Sequence, residues 1–164
     1  MRRFDEPYRT EEGSVRVRRK QSAYRALCAQ MRNVRTAVDY FGGLGFGAAI
    51  IHECLPKSSI LVYDIDPECL SAVRRRLDSP LVMVRRGDFF EVAGQRHYDL
   101  AVLDWNTFTI LQYRKNKQLA DAISRLLQAG PRYLLVNDGA VMMFHTHPKV
   151  YGVQTFDEYL SLLV

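Results

Sequence analysis

The sequence predicts an α/β domain, doubly wound around a mostly parallel sheet of about five strands in the order 3-2-1-4-5, with helices on both faces. Three observations predict it. Short apolar runs alternate with amphipathic segments across residues 34–138 of the 164-residue chain, the pattern of successive strand–helix–strand units. The connections are brief and rich in turn residues, as right-handed crossovers require. The first apolar run leads into Gly42-Gly43-Leu44-Gly45-Phe46-Gly47, and the second ends on an acid, Asp64, 19 residues beyond Gly45.

Taken in order, residues 1–17 are polar and charged and read as an arm or irregular lead-in. Tyr24, Leu27, Cys28 and Met31 fall at helical spacing and predict a helix over about 18–32. Residues 1–33 thus form a basic arm and helix, and 34–164 one globular cofactor-binding unit. Thr36–Phe41 reads as the first strand, and Gly45–Leu55 as a helix halted by Pro56. Ser59–Asp64 is the second strand. Asp66-Pro67-Glu68 then supplies an N-cap acid, a proline at the first helical position and a first-turn acid. Leu70, Val73 and Leu77 are that helix's buried stripe. Leu81–Arg85 and Tyr98–Asp104 are the third and fourth strands. A helix over 117–129 buries Leu119, Ile123, Leu126 and Leu127, Gly130-Pro131 ends it, and Arg132–Asn137 is the fifth strand. Phe156–Leu163 reads as a closing helix.

Composition narrows the class. Hydrophobic residues make up 48% of the chain, enough for one real core, and no run is long enough to span a membrane. Cys28, Cys54 and Cys69 lack metal-ligand spacing and fall in predicted helices, so they read as reduced packing residues in a cytoplasmic protein. The net charge of +5 is mildly basic and does not by itself indicate nucleic-acid binding. The cations cluster at Arg16–Lys20, Arg74–Arg76 and Arg114–Lys117; a solvated face is the plain reading of each.

The strand–glycine turn–helix–strand–acid unit suits a cofactor containing adenosine: glycines admit the ligand to the backbone, and the acid takes ribose hydroxyls. A dinucleotide would place its pyrophosphate on the helix N-terminus. Asp39, in the last turn of the first strand, would repel it, whereas a cofactor carrying a cationic amino acid would be favoured there. S-adenosylmethionine, with an ammonium, a sulfonium and no phosphate, is such a cofactor.

These residues resemble the class I S-adenosylmethionine-dependent methyltransferase superfamily. Asp39 and Phe41 with Gly42, Gly43 and Gly45 are similar to its first motif, which holds the methionyl part. Asp64 in Val62-Tyr63-Asp64-Ile65-Asp66-Pro67 resembles the second-strand acid, with Ile65 beside it. Arg86-Gly87-Asp88-Phe89-Phe90 resembles the segment where an acid receives the adenine amino group and an apolar neighbour packs the ring. Tyr98–Asp104 resembles the fourth strand, whose final residue faces the methyl. The resemblance implies a cofactor site of Asp39, Phe41, Gly42, Gly43, Gly45, Asp64, Ile65, Asp88, Phe89 and Asp104. It also implies that Asp104 orients or deprotonates an acceptor bordered by Trp105 and Asn106.

Two departures qualify it. Asp104-Trp105-Asn106-Thr107-Phe108 stands where amino-methyltransferases carry Asn or Asp, two prolines and an aromatic. The pattern also stops at five strands, so the family's sixth and seventh, an antiparallel edge hairpin, are expected to be missing. An open edge would then suit a homodimer or a larger assembly. Cations at a helix N-terminus oppose its dipole, so Arg114, Lys115 and Lys117 point instead to a polyanionic acceptor such as nucleic acid. His145 and His147 lack a carboxylate or cysteine at ligand spacing and read as structural, so no metal is expected. Two other classes stay open: a non-catalytic Rossmann-like module, and an NAD-dependent reductase, which Asp39 opposes.

Overall fold

The computed structural model describes residues 21–103, 116–137, 142–146 and 149–151. Residues 21–28 are helical (α1). They precede β1 (Thr36–Asp39), α2 (Phe46–Cys54), β2 (Ser59–Asp64), α3 (Pro67–Arg76), β3 (Val82–Arg86), α4 (Phe89–Val92) and β4 (Leu100–Leu103). Then come α5 (Asn116–Gln128), β5 (Tyr133–Asn137), β6 (Met142–Thr146) and β7 (Lys149–Tyr151). The predicted closing helix at Phe156–Leu163 lies outside the described residues.

The strand order is β3-β2-β1-β4-β5-β6-β7, and the first five strands are parallel, as the strand–helix alternation predicts. The expectation that the sheet ends at five strands is corrected. β6 pairs antiparallel with β5, and β7 with β6, so a meander extends the sheet and β5 is no edge. Met142–Thr146 escaped the sequence reading because it follows β5 after four residues. A parallel crossover needs a dozen or more, but an antiparallel partner needs only a short turn.

Strand residues alternate between two cores, as the two-residue period dictates. On one face Ala37, Ile60, Val62, Leu100 and Val102 meet Tyr24, Cys28, Ile51 and Val73 of α1, α2 and α3. On the other, Val38, Leu61, Ala101, Leu103 and Leu134 meet Phe89, Leu119, Ile123 and Leu126 of α4 and α5. All four β4 residues are fully buried, which is why that run reads as continuous apolar sequence. Burying each leucine or valine of that strand contributes about 1.5–3 kcal/mol.

Local signals set the helix ends. The Asp66 carboxylate accepts the Glu68 amide at 2.8 Å, Pro67 opens α3, and Arg74, Arg75 and Arg76 complement its C-terminal dipole. Thr36 and Asp99 bind β1 to the start of β4: Asp99 Oδ2 accepts from Arg35 N, Thr36 N and Thr36 Oγ1 at 2.8, 3.0 and 3.2 Å. An exposed ion pair, Arg25 to Glu53 at 2.8 Å, joins α1 to α2. The cysteines occupy α1, α2 and α3 as free thiols, and burial pushes Cys28 and Cys69 up to about 12. Neither is a nucleophile at neutral pH.

Candidate functional site

The carboxyl ends of β1, β2 and β3 carry the predicted cofactor residues side by side, since β2 lies between the other two in the parallel sheet. Asp39 is 1% exposed, one of two buried polar residues among those described, and its Oδ1 accepts the Phe41 amide at 3.2 Å. A carboxylate held there at the floor of the turn sets a negative field beside the glycines.

The glycines differ in what requires them. A Cβ on Gly42 would lie 2.2 Å from Val62 Cγ1, so close packing of the turn on β2 explains it without a ligand. Gly45 has φ 79° and a Cβ there would press on Val73 of α3 at 3.2 Å; it also serves as the α2 N-cap. Gly43 differs. Its φ of 47° favours glycine, yet among the described residues a Cβ would meet only the Phe41 carbonyl oxygen, at 3.9 Å. No other described atom lies within 4 Å, which leaves room for a ligand to approach the backbone.

Asp64 ties the turn to β2. Its Oδ2 accepts the Gly43 amide at 2.8 Å and its Oδ1 the Asp66 amide at 2.9 Å. Each carboxylate oxygen has a second lone pair, so both remain able to accept from a vicinal diol. Ile65 beside it is 48% exposed, an apolar side chain open to solvent next to the acid.

Asp88 is half-buried and caps α4, its Oδ1 accepting the Phe90 amide at 3.0 Å. Phe89 is only 2% exposed; its ring packs on Phe41 at 5.1 Å and on Tyr40 at 5.3 Å, so it backs the wall from within the core. The half-buried rings of Phe41 and Phe90 carry the accessible surface. Asp104, Trp105, Asn106, Arg114 and Lys115 lie outside the described residues. Asp104 follows directly on the buried end of β4 at Leu103, and Lys117 is exposed in the first turn of α5.

Sequence reasoning missed two supports. Arg76, read as part of a solvated run, donates from Nε to the Leu44 carbonyl at 2.9 Å and lays its guanidinium 3.8 Å over the Phe46 ring, clamping the glycine turn from outside. Arg125 of α5 donates to the Phe90 and Ala93 carbonyls and so anchors α4. Neither contact leaves a periodic trace in sequence. His97 is structural, its Nδ1 2.8 Å from the Ala129 carbonyl. Among the described residues no cluster of ligating side chains could hold a metal, and no helix is long and apolar enough to cross a membrane.

No family profile matches this sequence, and no curated protein is recognisably similar to it. Solved structures do match its fold. The N-methyltransferase NodS from Bradyrhizobium japonicum WM9 superposes with a TM-score of 0.62 at 15% identity, over 74% of this chain and 67% of NodS. SAM-bound CalS10, an amino pentose methyltransferase from Micromonospora echinaspora, gives 0.55 at 16%, over 73% of this chain and 48% of CalS10. A candidate rRNA methylase from Clostridium thermocellum gives 0.55 at 12%, over 70% and 65%. The chain thus spans between about half and two-thirds of these proteins. What it shares with these methyltransferases is their Rossmann-like α/β fold.

Proposed function

We propose that the chain binds S-adenosylmethionine and transfers its methyl group to an acceptor that is a polyanion such as nucleic acid. The observation that carries the cofactor half is the pairing of buried Asp39 with open Gly43 and with Asp64 at the next strand end. The Asp39 charge favours the cationic amino-acid end of the cofactor. The amide groups of α2's first turn, which no side chain caps and no acid crowds, favour its carboxylate. Asp64 is the ribose acceptor and Ile65 the exposed apolar surface for the base, with Asp88 and the half-buried Phe41 and Phe90 rings on the far side.

When bound, the cofactor supplies an electrophilic methyl on a sulfonium. The protein's own part is positioning and field. Asp104, at the end of β4, would orient the acceptor or take its proton, with Trp105 and Asn106 bordering it. Arg114, Lys115 and Lys117 draw in the polyanion. Neighbours of this fold include an amino pentose enzyme and a candidate rRNA methylase, so the fold alone does not choose the acceptor.

Methyl transfer from labelled S-adenosylmethionine to RNA, DNA and protein pools tests the reading. Incorporation into nucleic acid that Asp104→Asn and Lys115→Glu/Lys117→Glu each reduce at least tenfold is the expected result. Cofactor binding without transfer to any pool would favour a non-catalytic module, a reading motivated by the Asp104–Phe108 sequence. The edge strands expected to be missing are present as β6 and β7 and lend that reading no support.

A further inference from the structure

The β3–β4 crossover holds only the single-turn α4, so no described helix covers the outer strand on the α5 side of the sheet. In a doubly wound sheet both faces are ordinarily covered. Here Met83 is 46% exposed, and Arg85, two residues on, shares its face. Tyr63 lies opposite Arg85 in the β2–β3 register. Half-buried Tyr98 stands beside both: burial raises its phenol, while the charges of Arg96 and Arg85 act on it in the other direction. Arg85, Arg86 and Arg96 are exposed, and none forms an ion pair among the described residues.

The occupant follows by elimination and by charge. A strand added to the sheet edge needs the outward carbonyls of β3, and Arg74 already donates to that of Val84 at 3.1 Å. A second copy of the same cationic flank would be repelled. Guanidinium groups interleaved with a tyrosine and an exposed thioether suit a chain of phosphates whose bases need apolar and aromatic surface.

We propose that the flank of β3, formed by Met83, Arg85, Arg96 and Tyr98, is a track for single-stranded nucleic acid. It rests on the acceptor class proposed above and adds a second contact surface to it. The track runs about 10 Å along β3 from Met83 to Arg86, which stands opposite Asp64 in register at the carboxyl end. Three strand spacings, about 14 Å, separate β3 from β4. The nucleic acid must therefore pass over the adenosine side of the site before its acceptor base reaches the end of β4.

Anisotropy of a labelled 12-nucleotide single-stranded RNA, titrated with the full chain at two salt concentrations without cofactor, tests this. Arg85→Glu/Arg96→Glu should weaken binding at least tenfold and lower the log–log salt slope by about 1.4. The Arg85→Lys/Arg96→Lys protein should stay within about threefold of the parent, and S-adenosylhomocysteine should bind all three proteins equally, which separates charge from misfolding. RNA affinity within twofold of the parent in the glutamate protein would overturn the track. If Lys115→Glu/Lys117→Glu still weakened binding, the acceptor reading would survive that result. No RNA binding by the parent chain, with S-adenosylhomocysteine binding intact, would overturn both. Displacement of RNA by inorganic polyphosphate as effective, phosphate for phosphate, as by unlabelled RNA would overturn the assignment to nucleic acid.

Discussion

Asp64 Oδ2 accepts the Gly43 amide at 2.8 Å, so the acid proposed as the ribose acceptor also holds the shape of the glycine turn on the neighbouring strand. One side chain thereby couples loop geometry to ligand affinity. Asp64→Ala should lose at least tenfold in S-adenosylhomocysteine affinity, about 1.4 kcal/mol, and lose stability by about 1 kcal/mol from the orphaned amides. Asp64→Asn, which keeps an acceptor oxygen, should recover most of the stability but not the affinity. Paired thermal melts and calorimetry check both parts.

The glycines should separate by mechanism. Gly42→Ala drives a methyl into Val62 and should cost about 1–3 kcal/mol by overpacking. Its folded fraction should still bind cofactor. Gly43→Ala crowds no described residue, so its cost comes from the left-handed backbone, roughly 1–2 kcal/mol. Its methyl, however, fills the cradle, so affinity should fall by more than tenfold. The two variants compared by melting and by calorimetry should show opposite rankings for stability and binding.

Arg125 should matter to the cofactor without touching it. Its guanidinium holds the Phe90 and Ala93 carbonyls, and Gly94 leaves it no slack: a Cβ there would lie 2.5 Å from the Arg125 carbonyl oxygen. Arg125→Met should release α4, costing about 0.5–1.5 kcal/mol, and displace Asp88 and Phe89. Weaker binding of S-adenosylhomocysteine, with partial rescue by Arg125→Lys, is the expected outcome.

Asp99 should give stability an acid limb. Burial raises its pKa, but the Arg35 and Thr36 amides and the Thr36 hydroxyl together hold it below the ordinary value of 3.8. A carboxyl depressed in the folded state contributes stability above its unfolded pKa and loses it as pH falls through the folded one. Stability attributable to Asp99 should thus be constant at neutral pH and decline below about pH 4. Urea melts of Asp99→Asn should be less stable at pH 7 and flatter on the acid side than those of the parent.

The parallel strands, α3 and the acids at the strand ends were legible because each carries a local signature. Leu100–Leu103 is continuously apolar because both faces are covered, and Asp66-Pro67-Glu68 states a helix start in three residues. What was not legible depends on tertiary contact. Gly42 and Gly45 look like ligand glycines until Val62 and Val73 are seen against them. Arg76 looks solvated until it reaches the Leu44 carbonyl, and Phe89 looks like a pocket wall until it is found buried behind Phe41. The meander of β6 and β7 was hidden because antiparallel pairing needs so little connecting chain.

Calorimetric titration of the chain with S-adenosylhomocysteine, run beside an identical titration with NAD, bears most directly on the cofactor assignment. The arrangement of Asp39, Gly43 and Asp64 predicts micromolar binding of S-adenosylhomocysteine, no measurable heat with NAD, and loss of the first in Asp39→Ala. Binding of NAD alone would contradict the role given to Asp39, and binding of neither would leave the fold without the cofactor proposed for it.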